Sequence, residues 1–178
     1  MFNNNSFIET QAENLLKDSN NFSIPIQIKE CAKFLGIKLE PQELDDNVAG
    51  FLLIKDDKTI HIGYNKLHHE NRVRFTIAHE VSHFILHAKD KKLFVDKEIL
   101  FRNENSATGE VVKEREANAF AAALLMPQKL IIKEIANHKK DSTDKLIKNI
   151  AKKFKVSMQA MTIRLTNLGF IDYDSFAS

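Results

Sequence analysis

Apolar positions along this chain alternate between two periods, and the changes of period mark its elements. Phe7, Ile8, Ala12, Leu15 and Leu16 recur at helical spacing up to the breaker run Asp18-Ser-Asn-Asn, which predicts an amphipathic first helix. Ser23 is placed to cap a second helix with Pro25 in its first turn. Ile28, Cys31, Ala32 and Leu35 line the inner face of that helix, and Gly36 ends it. The period then becomes two. Ile37 and Leu39 alternate with polar residues up to Pro41, and residues 48–54 face residues 59–64 across Lys55-Asp-Asp-Lys58, a β-hairpin signal. A long helix is predicted over about residues 69–88. Residues 89–109 are mixed and end in the polar run 103–109, which predicts a flap-like loop with a short helix or extended piece around residues 96–101. Residues 110–126, rich in alanine and leucine, return to a helical pattern that Pro127 breaks. Two or three further helices, over residues 128–137, 143–154 and 157–168, complete the chain, with Gly169 closing the last.

The helix predicted over residues 69–88 encloses chemistry in an apolar surface. Phe75, Ile77, Ala78, Val81, Ile85 and Leu86 surround His79, Glu80 and His83. A spacing of four residues returns to within about 40° of the starting direction, so both imidazoles leave one face a turn apart, where one metal ion can bridge them. Glu80, about 100° round from His79, is placed to reach a water on the open side of that ion as general base. Two buried histidines can be ordinary core residues; the full His-Glu-x-x-His pattern favours a metal. Zinc in a catalytic site takes three protein ligands. In the helix over residues 110–126, Glu114, Ala117, Asn118, Ala121 and Leu125 share a face, which makes Glu114 the candidate third ligand and Asn118 a candidate partner for a ligating imidazole. Glu116 projects about 200° away and is the weaker candidate. The predicted reaction is metal-assisted amide hydrolysis. For stabilising the oxyanion, His61, His68, His69, His87 and Tyr64 stay open; His87 continues the histidine stripe and is a candidate for supporting the ligands from behind.

Composition narrows the setting. With 178 residues, 43% hydrophobic and 28% charged, the chain reads as one soluble core with an appended subdomain. No secretory leader pattern and no apolar run long enough to span a bilayer are evident, which predicts a cytoplasmic protein without a membrane partner. The single cysteine, Cys31, falls on an apolar helix face and reads as core packing. Residues 127–178 hold ten Lys and Arg against five Asp and Glu. That basic excess hints at an anionic partner, and solvated helix faces explain it equally well.

The run from Arg72 to His87, containing Ala-His-Glu-Val-Ser-His, followed by Glu114-Arg-Glu-Ala-Asn-Ala-Phe-Ala-Ala-Ala-Leu-Leu-Met-Pro127, resembles the ImmA/IrrE family of metallopeptidases. The likeness extends upstream through Gly50, the hairpin and Asn65, covering about residues 24–127. It implies a compact zincin-like fold in which His79, His83 and Glu114 hold zinc and Glu80 is catalytic. It also implies site-specific cleavage of helix-turn-helix repressors in phages, mobile elements or stress responses. Ser82 stands where a glycine is often found and Ala123 where a glutamate is common.

Residues 146–169 resemble a helix-turn-helix. Lys152, Lys153, Lys155 and Arg164 are placed to meet phosphates, and Gln159 or Thr162 to face bases. The expectation is therefore an α+β fold: a zincin-like metallopeptidase domain over 1–127, with a small β-sheet and an active-site helix, and a helical, helix-turn-helix-like subdomain over 128–178. The expected function is a zinc-dependent endopeptidase that cleaves a helix-turn-helix repressor, with DNA a possible partner of the subdomain. The rival expectation is a DNA-binding regulator or antitoxin-type interaction protein whose zinc site is structural or silent.

Overall fold

The computed structural model describes residues 4–88, 93–97, 108–138 and 141–172. Helix α1 (Asn4–Asp18) and helix α2 (Ile28–Phe34) lead into strands β1 (Ile37–Gln42), β2 (Val48–Ile54) and β3 (Ile60–Asn65). Helix α3 (Glu70–His87) follows, then strand β4 (Leu93–Lys97) and helix α4 (Thr108–Leu125). Helices α5 (Gln128–Asn137), α6 (Thr143–Phe154) and α7 (Met158–Asn167) complete the α+β fold.

Helix α2 starts later than its composition suggests. Ser23 does not cap it and Pro25 lies ahead of it; the first helical hydrogen bonds run from Glu30 and Cys31 to the Gln27 carbonyl. The helical region is disfavoured for Ile24, which precedes Pro25, and Ile26, which follows the proline, is turned fully into the core. Cys31 is buried in the same cluster, which pushes its thiol pKa up.

The sheet has the order β1-β3-β2-β4, with β1 parallel to β3 and the other pairs antiparallel. The β2–β3 hairpin closes through a hydrogen bond from Lys58 N–H to the Lys55 carbonyl (2.9 Å), with Lys58 itself at φ 65°. Registered partners share a face, so Gly50, Leu52, Ile62, Tyr64 and Phe94 point to the same side. That side carries α3. Gly50 is required there: a Cβ at this position would meet Thr76 Cγ2 of α3 at 2.5 Å and the Gly63 carbonyl at 2.7 Å. The helix can thus sit directly on the strand.

Strand β4 takes up the apolar triplet Leu93-Phe94-Val95, three residues before the extended piece expected around 96–101; residues 89–92 and 98–107 of the expected flap lie outside the described residues. Beyond Pro127 the helices continue one hydrophobic cluster, in which Ile131, Ile147, Ile150, Phe154, Met161 and Leu165 join Leu16, Phe120 and Leu124.

Helices α6 and α7 are joined by a short turn. Lys155 adopts the left-handed conformation (φ 53°), Val156 N–H donates to the Ala151 carbonyl (3.1 Å), and Ser157 Oγ caps α7 by accepting from Ala160 N–H (3.0 Å). Of the expected phosphate-contacting set, Lys152, Lys153 and Lys155 are exposed and Arg164 is spent inside the molecule. Arg164 is buried, donating to the Met126 carbonyl (3.0 Å) and forming a two-pronged pair with Glu9 of α1 (2.5 and 2.8 Å). Glu9, within α1, and the Met126 carbonyl, just past the end of α4, cover it. Lys153 pairs with Glu134 and Lys155 with Glu70.

Truncating one partner of a buried ion pair strands the other's charge. Arg164→Ala is accordingly expected to cost about 3 kcal/mol of stability in denaturant titration, whereas a change below about 0.5 kcal/mol would be that of an ordinary surface site.

Candidate metal centre

The packing of α3 against β2, β3 and α4 determines what its histidines face. His79 and His83 are both 2% exposed, their ring centroids are 4.6 Å apart, and their Nε2 atoms approach to 3.0 Å. Glu114 enters from α4 and completes the cluster, with Oε2 at 3.2 Å from His79 Nε2 and Oε1 at 3.2 Å from His83 Nε2. The three residues offer ligand atoms that all lie within 4.8 Å of one another. Burial alone would push the Glu114 carboxyl up; hydrogen bonds from His79 and His83, and their charge, outweigh it and hold the group down to about 2.

The approach of α4 depends on its small residues. Ala117 and Ala121, on the Glu114 face, are fully buried, and Asn118 one turn on accepts through Oδ1 from His79 Nδ1–H at 3.0 Å. An amide oxygen can only accept, so this bond keeps a proton on Nδ1, and once His79 gives up the Nε2 proton it shares with Glu114 its Nε2 lone pair points into the cluster. His83 is oriented by packing: its ring stacks on Phe94 of β4 (4.6 Å, 22°), and its buried Nδ1 has no hydrogen-bond partner among the described residues. Two imidazole nitrogens and a carboxylate whose electron pairs converge on one point fit a cation. Such a donor set repels itself unless a proton or a metal stands between its members.

Glu80 is fully buried on the same helix. Ser82 is buried too; its hydroxyl donates to the Ala78 carbonyl (2.6 Å), so the polar group is satisfied within the helix. Ala123 is part of the core.

All five groups left open for oxyanion stabilisation have other partners. His61 bonds Glu40 (2.6 Å) and Thr59 (3.2 Å), and His68 contacts Asn65 and the Asp46 carbonyl. His69 caps α3 by accepting from Asn71 N–H, and Tyr64 lies under Lys29. Tyr64 and His68 also line a cavity of about 590 Å³, with Lys29, Lys66, Arg74 and Lys155, that shares no residue with the histidine cluster. His87 stays beside the cluster, its ring 5.7 Å from that of His83. Glu116 does not face plain solvent, as its helical position suggests: its carboxylate lies 3.7 Å from His87 Nε2. The sequence holds the signal for this contact, a histidine one turn beyond His83, without showing which carboxylate it meets.

No curated protein matches the chain. A family model does, over residues 32–166, the Peptidase_M78 model described as the IrrE N-terminal-like domain. The match runs from α2 into α7 and so extends past Pro127, beyond the span on which the sequence likeness rests. A His-Glu-x-x-His helix packed on a small mixed sheet, with a glutamate delivered from the next long helix, together with a family match over most of its length, identifies this chain as a member of the ImmA/IrrE metallopeptidase family.

Proposed function

We propose that the chain is a zinc-dependent endopeptidase in which His79, His83 and Glu114 hold the metal and Glu80 is the general base. The observation that carries this reading is the convergence of the two Nε2 atoms and the Glu114 carboxylate within hydrogen-bond distance, beside the buried Glu80. Zinc bound there would supply a Lewis acid and acidify a water towards a pKa of about 7. Glu80 accepts a proton from the attacking water and returns it to the amine nitrogen as the peptide C–N bond breaks. Asn118 keeps the proton of His79 on Nδ1, so that this imidazole offers Nε2.

Strand β4 supports an extended peptide as substrate. It ends the sheet among the described residues, and Phe94 within it stacks on His83, so its outer main-chain groups run beside the centre. A peptide laid along that edge gains strand-type hydrogen bonds irrespective of sequence, leaving specificity to side-chain contacts. We infer from the family that the substrate is a helix-turn-helix repressor, cleaved at one site in the cytoplasm to relieve repression.

The test combines metal and substrate. The purified wild-type chain should carry one zinc per molecule and His83→Ala none. The wild type should cut the helix-turn-helix protein encoded beside its gene into two fragments, and a chelator should stop the cut. Equal zinc in both proteins overturns the proposed centre. An intact repressor alongside cleavage of unrelated peptides overturns the substrate and keeps the enzyme.

A further inference from the structure

We propose that His87 is a positioning residue: its Nε2–H holds the Lys113 carbonyl and so fixes the neighbouring Glu114 at the metal centre. This inference rests on the reading of His79, His83 and Glu114 as ligands.

The geometry separates His87 from the ligand set. It continues the stripe of His79 and His83 by one further turn of α3 and is 6% exposed. Its Nε2, however, points across to α4, 3.3 Å from the Lys113 carbonyl oxygen and 3.7 Å from Glu116 Oε2. His87 is not part of the group whose donor atoms converge. Both neighbours of Nε2 are acceptors, and a carbonyl can only accept, so the proton belongs on Nε2. Burial, then the charge of His83, pushes the pKa of His87 below the ordinary histidine range.

Lys113 immediately precedes Glu114, and Asn118 lies one turn after it. Glu114 is thus bracketed by two hydrogen bonds between α3 and α4, His87 to the Lys113 carbonyl on one side and His79 to Asn118 on the other. The two bonds use opposite ring nitrogens. His79 spends Nδ1 on α4 and turns Nε2 to the cluster, whereas His87 spends Nε2 on α4 and cannot turn it inward. The first bond orients an imidazole; the second holds the backbone from which the third ligand projects. Partners of this outer kind are worth about 10–100-fold in metal affinity.

The experiment measures zinc affinity by competition with a chromophoric chelator, with circular dichroism and melting as controls of folding. His87→Phe keeps a ring without the donor and should bind zinc about 10–100-fold more weakly than wild type. His87→Gln restores an N–H at the place of Nε2 and should recover most of that loss. Equal affinity in wild type and a folded His87→Phe overturns the inference, as does an equal loss in both variants. Independently of metal, ¹⁵N NMR of the apo wild type should show His87 protonated on Nε2, and the Nδ1–H tautomer would overturn the inference. If the wild type binds no zinc while His87 shows the Nε2–H tautomer, the metal reading fails and takes the positioning role with it; the hydrogen bond itself stands.

Discussion

Glu80→Gln is expected to lower peptide hydrolysis by about 10²–10⁴-fold, the usual contribution of a positioned general base, while leaving zinc content and melting temperature close to those of wild type. The substitution preserves side-chain volume in a fully buried site, so packing against the sheet is kept. What it removes is the ability to take a proton from water. His79 and His83 lie one position before and three positions after, and Glu114 comes from another helix, so the proposed ligands are untouched. A variant that cleaves at the wild-type rate with its zinc in place would show that another group accepts the proton, and would remove Glu80 from the mechanism.

The second large effect is expected at the third ligand, where two glutamates two residues apart diverge. Glu114→Ala should lose zinc and activity together, because two histidines alone leave the ion short of its usual three protein ligands. The loss in affinity should exceed the roughly 10–100-fold typical of removing a partner that only supports a ligand. Glu116→Ala should retain zinc and cleavage, since the carboxylate it removes lies against His87 and outside the converging atoms. Measuring both variants by metal analysis and by peptide cleavage decides between them. Zinc retained in Glu114→Ala and lost in Glu116→Ala would mean that α4 is rotated by roughly half a turn, and would transfer the ligand role to Glu116.

Much of this architecture was legible without coordinates, because local rules govern it. A four-residue spacing on a helix puts His79 and His83 on one face wherever that helix packs. The face shared by Glu114, Ala117, Asn118 and Ala121 follows from the same period, and the structure brings that face against α3. The helical patterns over 128–137 and 143–154, the first set off by Pro127, give the bounds that α5 and α6 have in the structure. Alternation identified β1 and the β2–β3 hairpin.

What the chain alone left undecided depends on residues far apart in sequence. Ser23 and Pro25 have the composition of a helix start, yet the core takes Ile26, and α2 begins beyond it. The edge strand β4 is five residues within a mixed region, and its pairing with β2 could not be read locally. Arg164 looks like a phosphate contact on its own helix; only the convergence of α1 and α4 supplies Glu9 and the Met126 carbonyl that bury it. Glu116 and His87 likewise acquire each other through the docking of α4 on α3. Sequence by itself determined which side chains could share a face of one helix, since that depends on a fixed rotation per residue. Which faces of different helices meet was decided by tertiary packing, because burying apolar surface outweighs any one polar residue's preference for water.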